Sequence, residues 1–196
     1  MKRIVLLLPF ALLWILSCAS LKAQDIPEAI GPGSYVAAGV GLSAVQADYG
    51  QRVLGGYMAF VDAHVTWRYG FEAEARSLHY HTDEDVTQRT LMAGPHIDVW
   101  KPSRMRPYVK FLVGQGHIVF PFKYATGNYF AMTPGAGVDF MLNDVVSIRA
   151  IDVEYQDWPK FTYGALHPYG ISAGIYIRLN PMHKYPRRAS PGYKLR

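Results

Sequence analysis

From Tyr57 to Trp67 the odd positions read Tyr57, Ala59, Val61, Ala63, Val65 and Trp67, and the even positions between and after them read Met58, Phe60, Asp62, His64, Thr66 and Arg68. One side of such a segment is wholly apolar and the other mostly polar, which is the period of a half-buried β-strand. The pattern continues through Phe71, Ala73, Ala75 and Ser77, alternating with Glu72, Glu74, Arg76 and Leu78. Read this way, the chain holds eight strands, at about 34–46, 53–68, 70–81, 87–100, 107–119, 127–142, 145–157 and 168–179. Strands of soluble domains usually run about 5–6 residues. The longer segments here suit a tilted crossing of a bilayer, which takes about 9–11 residues plus projecting ends. The spacing predicts an all-β fold, an eight-stranded antiparallel up-and-down transmembrane β-barrel.

The connections alternate as well. Short turns follow the second, fourth and sixth segments: Tyr69-Gly70, the Lys101 to Arg106 stretch with Pro102, and Asn143-Asp144. Longer polar or aromatic connections follow the odd-numbered segments, the longest running from Asp157 to His167. Outer-membrane barrels pair short periplasmic turns with longer external loops, so both chain ends are expected on the periplasmic side.

Alternation alone fits either an apolar outside or an apolar inside. Glycine placement separates the two. Gly114 and Gly116 share a face with Lys110, Gly135 and Gly137 with Asp139, and Gly170 and Gly174 with Arg178. Missing side chains beside charged ones suit a narrow, crowded lumen, whereas on a solvated face those glycines would only weaken the strands. The opposite faces carry no charge: Val36, Ala38, Val40 and Leu42; Val109, Phe111 and Val113; Phe130 to Phe140 at even positions; and Ile171 to Leu179 at odd positions. A Lys or Arg at the bilayer midplane would cost about 2–4 kcal/mol. Aromatic residues cluster near segment ends and are expected to form two interface girdles: Trp67, Tyr69, Trp100 and Tyr108 toward the periplasmic turns, with Phe120, Phe122, Tyr124, Tyr129, Tyr155 and Trp158 toward the outside. The seventh segment departs from strict alternation, since Arg149 lies on one parity and Asp152 and Glu154 on the other. Either a β-bulge near 150–152 or a Glu154 already above the membrane accounts for it.

The N-terminus is an address. Lys2 and Arg3 precede an apolar run from Ile4 to Leu16, followed by small residues, the pattern of a secretory signal peptide cleaved after Ala23 or Ala19. A lipobox-like reading around Cys18 is the alternative. Otherwise Cys18, the one cysteine of the chain, leaves with the signal and the mature protein has no disulfide. No second run of 18 apolar residues occurs, which excludes a helical membrane protein. The formal charge of +5 resolves into its parts: Lys2, Arg3 and Lys22 belong to residues 1–23, and Lys184, Arg187, Arg188, Lys194 and Arg196 to a Pro-interrupted basic tail at 180–196. The intervening body, 24–179, holds 12 basic and 15 acidic residues, so its charge does not point to nucleic acid.

Phe71-Glu72-Ala73-Glu74-Ala75-Arg76, Pro107-Tyr108-Val109-Lys110-Phe111, Pro134-Gly135-Ala136-Gly137-Val138-Asp139 and the last segment, Gly174-Ile175-Tyr176-Ile177-Arg178-Leu179, give residues 34–179 a character that resembles the small eight-stranded outer-membrane barrels, the group with the OmpA transmembrane domain and the OmpX/Ail proteins. The resemblance implies a fold and a location, and carries no catalytic signature. It also implies handling by the barrel-assembly machinery during biogenesis. Two departures stand out. The last segment ends at Leu179 where the family commonly ends on an aromatic, and the 17-residue tail is too short for the wall-binding domain that follows the OmpA barrel.

Within the expected lumen lie Asp62, His64, Glu72, Glu74, Arg76, Asp98, Lys110, Asp139, Arg149 and Arg178. Buried charges of both signs are read as a structural network that fills the interior, in preference to an ion or proton path. His79 and His81, beside Asp83, Glu84 and Asp85, offer only two imidazole ligands on a loop, short of a closed metal site. No His-x-Ser-Asn arrangement occurs, and Ser147 and Ser172 lie far from a suggestive histidine in sequence, so no catalytic residue, metal or cofactor is assigned. The expected role is a non-enzymatic, monomeric surface or structural protein, with adhesion or envelope integrity as its use and outer-membrane lipid or lipopolysaccharide as its surroundings. A lipid-modifying enzyme of small-barrel type, a small porin-like channel and a soluble lipocalin-like barrel are the alternatives.

Overall fold

A computed structural model describes residues 34–48, 53–80, 86–100, 104–119, 126–161 and 164–179. The signal peptide, the basic tail, His81, Phe120, Phe122 and Tyr124 lie outside the described residues. Ten strands follow in chain order: β1 Tyr35–Gln46, β2 Val53–His64, β3 Tyr69–His79, β4 Thr87–Asp98, β5 Met105–Val119, β6 Thr126–Met141, β7 Val146–Tyr155, β8 Trp158–Phe161, β9 Gly164–Leu166 and β10 Tyr169–Arg178. Eight of them close into one antiparallel barrel in the order β1-β10-β7-β6-β5-β4-β3-β2. Closure leaves no unpaired strand edge.

At one end the strands are joined by 65–68, 99–104 and 142–145. Local side chains fix two of these turns. Thr66 Oγ1 accepts from the Arg68 and Tyr69 N–H groups at 3.3 and 3.0 Å, and Asn143 Oδ1 accepts from the Val145 and Val146 N–H groups at 2.8 and 2.7 Å. The Thr66 turn closes β2, which ends at His64, four residues before the limit that alternation predicts. The other end carries 47–52, 80–86, 120–125 and 156–168.

The longest of these connections folds on itself, which periodicity did not foresee. β8 and β9 form a hairpin with Trp158 opposite Leu166 and Phe161 opposite Gly164. Gly164 turns the chain at φ 126°, a conformation that a side chain would resist. Reciprocal bonds of 2.7–2.9 Å between the backbones of Asp157 and Met132 tie the base of the hairpin to β6.

β7 contains one extra residue against both neighbours. Asp139 pairs with Arg149 while Val138 pairs with Ile151, and Gly174 pairs with Arg149 while Ser172 pairs with Asp152. Ala150 and Ile151 both face outward, so this bulge lets Arg149, Asp152 and Glu154 all point inward despite their mixed parity.

Candidate functional site

Alternation along every barrel strand sends one set of side chains into a narrow interior. All ten residues expected there, Asp62, His64, Glu72, Glu74, Arg76, Asp98, Lys110, Asp139, Arg149 and Arg178, are buried. Two buried ionisable partners escaped the sequence reading, His96 and Arg106, while Asp152 and Glu154, left there between two alternatives, are buried as well. His96 shares the parity of Asp98, and Arg106 that of Lys110, so alternation carried the signal for both. The bulge in β7 turns Asp152 and Glu154 inward together with Arg149.

Three cations organise the middle of the lumen. Lys110 Nζ lies 2.9 Å from Glu72, 3.1 Å from Glu74 and 2.6 Å from each of Asp152 and Glu154. Gly135 makes this possible, because a Cβ there would come within 3.0 Å of the Lys110 stem. Arg149 donates to Asp62 at 3.2 Å, to both oxygens of Glu72 at 3.0–3.1 Å and to Asp139 at 3.4 Å. Its guanidinium also lies 3.8 Å over the Phe60 ring and 4.8 Å over Tyr108. Arg76 completes the belt against Glu74 at 2.6 Å and Glu154 at 2.8 Å. Glu72 faces Lys110, Arg149 and, at 2.9 Å, His96 Nδ1, so four strands converge on this one carboxylate.

Toward the short turns the interior becomes aromatic and basic. His64 stacks flat on Tyr35 with centroids 4.4 Å apart, and His96 stacks on Tyr108 at the same separation. Arg178 donates to Ser147 at 2.9 Å and approaches the Tyr35 ring, while Arg106 lies 3.9 Å from Asp98. Two groups bring potential ligand atoms within 4.8 Å of one another, Asp62-His64-His96 and Glu72-Glu74-Asp152. In both, the carboxylates already face Arg149 or Lys110.

Toward the long loops the filling changes character. Met92, Leu112, Ile118 and Ala131 from the barrel wall pack with Trp158, Phe161 and Leu166 from the hairpin, and Val45, Leu54, Leu78 and Val86 form a second apolar cluster. Gly116 provides the seat: a Cβ on it would collide with the Trp158 indole. Gln156 Oε1 accepts from both Trp158 Nε1 (3.1 Å) and Gln88 Nε2 (3.3 Å), joining the apolar filling to the polar interior.

The aromatic expectations divide on this point. Trp67, Tyr69, Trp100 and Tyr155 lie on the outer surface, 40–69% exposed. Tyr108 and Trp158, expected at the interfaces, do not belong with them: both are buried inside. Tyr108 shares the parity of Lys110 and covers His96 and Arg149, and the hairpin folds Trp158 into the barrel mouth because its apolar side chains find an apolar wall there.

For the catalytic alternative, Ser147 and Ser172 are committed to Arg178 and Ser43. A serine–histidine contact absent from the sequence reading occurs elsewhere, with Ser77 Oγ 3.3 Å from His79 Nε2 and His79 Nδ1 3.2 Å from Thr87 Oγ1. It sits on the outward side of β3, whose backbone runs in register with β2 and β4. N–H groups committed to those ladders do not form a preorganised oxyanion site.

Neither a protein-family model nor a curated protein matches the sequence. Solved structures do match. Neisserial surface protein A superposes with a TM-score of 0.61 at 13% identity, over 74% of this chain and 96% of that one. The outer membrane protein OprG from Pseudomonas aeruginosa gives 0.53 at 10% identity, over 76% and 97%. The chain carries the fold of the small eight-stranded outer-membrane β-barrels.

Proposed function

We propose that this chain is a non-enzymatic outer-membrane protein whose barrel is a closed, non-conducting support for the long loops, exported by residues 1–23 and assembled by the barrel-assembly machinery. The observation that carries the reading is the inversion of an ordinary soluble fold. Val40, Leu42, Phe71, Leu91, Phe111 and Ile171 are exposed, and Lys110, Arg149, Glu72 and Glu74 are buried. Such an outer surface is stable against lipid and aggregation-prone in water. An eight-stranded interior is just wide enough for side chains to fill, and here ion pairs occupy the middle while the hairpin covers one end.

With its long loops outside, the barrel acts by presentation: a rigid scaffold holds loop side chains in the medium, and adhesion or envelope integrity follows from what they touch. Membrane fractionation with an unboiled and boiled gel comparison tests the location. A heat-shifted band confined to the outer-membrane fraction is expected, and a stable monomer in detergent-free buffer would overturn it. In planar bilayers the purified protein should give no persistent channel currents, so a large, stable conductance would reject the closed barrel.

A further inference from the structure

The outward faces of the eight barrel strands carry a single charged side chain among the described residues, Arg89 on β4. Every other charged residue in those strands is buried. Arg89 follows a purely apolar outward row, Val99, Ile97, Pro95, Ala93 and Leu91, at the end nearer the long loops. Eight residue steps at about 3.4 Å, tilted by about 40°, raise that row roughly 20 Å, close to the height of a barrel's apolar band. Arg89 therefore stands at its rim, where an arginine costs only about 0–1 kcal/mol. It makes no ion pair with any described residue.

Cross-strand register sets polar groups beside it. Ser77, Arg89, His117 and Asn128 lie opposite one another on β3, β4, β5 and β6, and His79 is one outward position above Ser77. The His79 ring is held by Ser77 and Thr87. Next to this row the outer wall is indented. Ala59 and Ala75 form a shallow floor between Val40, Leu42 and Tyr57, giving an apolar groove of about 570 Å³. Past Tyr57 a second hollow of about 470 Å³, more polar, ends at His79 and Tyr80. Arg89 lines neither hollow but lies directly across from Ser77, which lines the first, and an apolar groove with a guanidinium one strand from its edge fits a molecule with a hydrocarbon chain and an anionic head.

We propose that this groove on β1–β3 binds one phosphorylated glycolipid of the outer leaflet, with an acyl chain between Leu42 and Tyr57 and a phosphate at Arg89. The assignment rests on the membrane orientation given above, which places the rim at Arg89 in the outer leaflet. Phosphate is the matching anion because arginine binds it through paired, charge-assisted hydrogen bonds, and Ser77 lies directly opposite on the neighbouring strand, about 4.8 Å away, to bond the head.

Native mass spectrometry of the detergent-solubilised full chain, titrated with lipid A, dephosphorylated lipid A or phosphatidylglycerol, tests the site. One lipid A is expected to remain bound to the wild type at an affinity at least tenfold above either comparison lipid. Arg89→Gln should abolish the preference for the phosphorylated form. Ala75→Leu, with Ala59→Leu as the alternative should the first fail to give a heat-shifted folded band, should weaken both lipid A forms at least tenfold by filling the groove. Equal retention of all three lipids, or unchanged binding by the folded variants, would overturn the proposal. A protein that inserts into bilayers and binds without discrimination defeats the groove alone. One that does not insert defeats the membrane reading beneath it.

Discussion

The barrel interior is closed twice, by opposite chemistry. In the middle, Lys110, Arg149 and Arg76 meet Asp62, Glu72, Glu74, Asp152 and Glu154 on side chains anchored in barrel strands. At the long-loop end, Trp158, Phe161 and Leu166 close the lumen from a hairpin that belongs to a connection. Ion pairs in a low-dielectric interior are unforgiving, because a charge without its partner retains the full penalty of leaving water. Apolar contacts are separable, since a hairpin that swings away only exposes surface. The belt therefore belongs to the stability of the whole barrel, whereas the hairpin is governed by its own local docking equilibrium.

The sharpest way to break this contrast is to remove the cation that binds the most elements. Arg149→Met should destabilise the folded barrel by about 3–5 kcal/mol, because Asp62, Glu72 and Asp139 are left buried without it. Urea unfolding in detergent or bilayers, followed by the gel shift, reads this directly. Adding Glu72→Gln should recover part of the loss. A double variant no better than the sum of its single changes would mean that the two do not act as one network.

How far the sequence carries this contrast depends on what kind of order each region has. The belt was legible because alternation is a local rule. Glu72, Glu74 and Arg76 announce a lumen face from their spacing, and the glycines beside Lys110 announce crowding. The parity conflict of Arg149 with Asp152 and Glu154 even located the bulge that resolves it. Which carboxylate meets which cation was not legible, since Lys110 and Glu72 are brought together by barrel closure. Closure is a property of register across all eight strands. Trp158 shows the same limit from the other side. A tryptophan near a strand end suits a membrane interface, and only the return of 158–166 over the barrel mouth, which has no periodic signature, makes it a core residue.

The hairpin can be broken next. Trp158→Ala should cost no more than about 3 kcal/mol in global stability, at or below the lower end for a fully buried tryptophan, because the hairpin can detach without opening the barrel. Its larger effect should be local, as faster hydrogen exchange across 156–166 with β2–β5 unchanged. Spread of that exchange into the belt strands would show that the two closures are coupled. Gly116→Ala attacks the same contact from the wall. The added methyl occupies the space of the indole, so a loss of about 1–3 kcal/mol and increased quenching of tryptophan fluorescence by acrylamide are expected.

The smallest change falls on the seam. Gln156 Oε1 is the common acceptor for Trp158 of the hairpin and Gln88 of β4, so it ties the hairpin to a buried polar side chain of the barrel wall. Gln156→Leu removes that acceptor and leaves two N–H donors buried, for which about 1 kcal/mol per lost bond is the appropriate scale. Gln156→Glu keeps the acceptor oxygen and supplies a charge. If the seam works through the hydrogen bonds, the leucine variant should loosen the hairpin by hydrogen exchange while the glutamate variant preserves its protection. If Gln156 merely fills space, leucine should be tolerated and glutamate should be the damaging substitution, because it buries a charge beside no cation of the belt. The order of the two variants therefore decides whether the apolar closure is fastened to the polar interior or only rests on it.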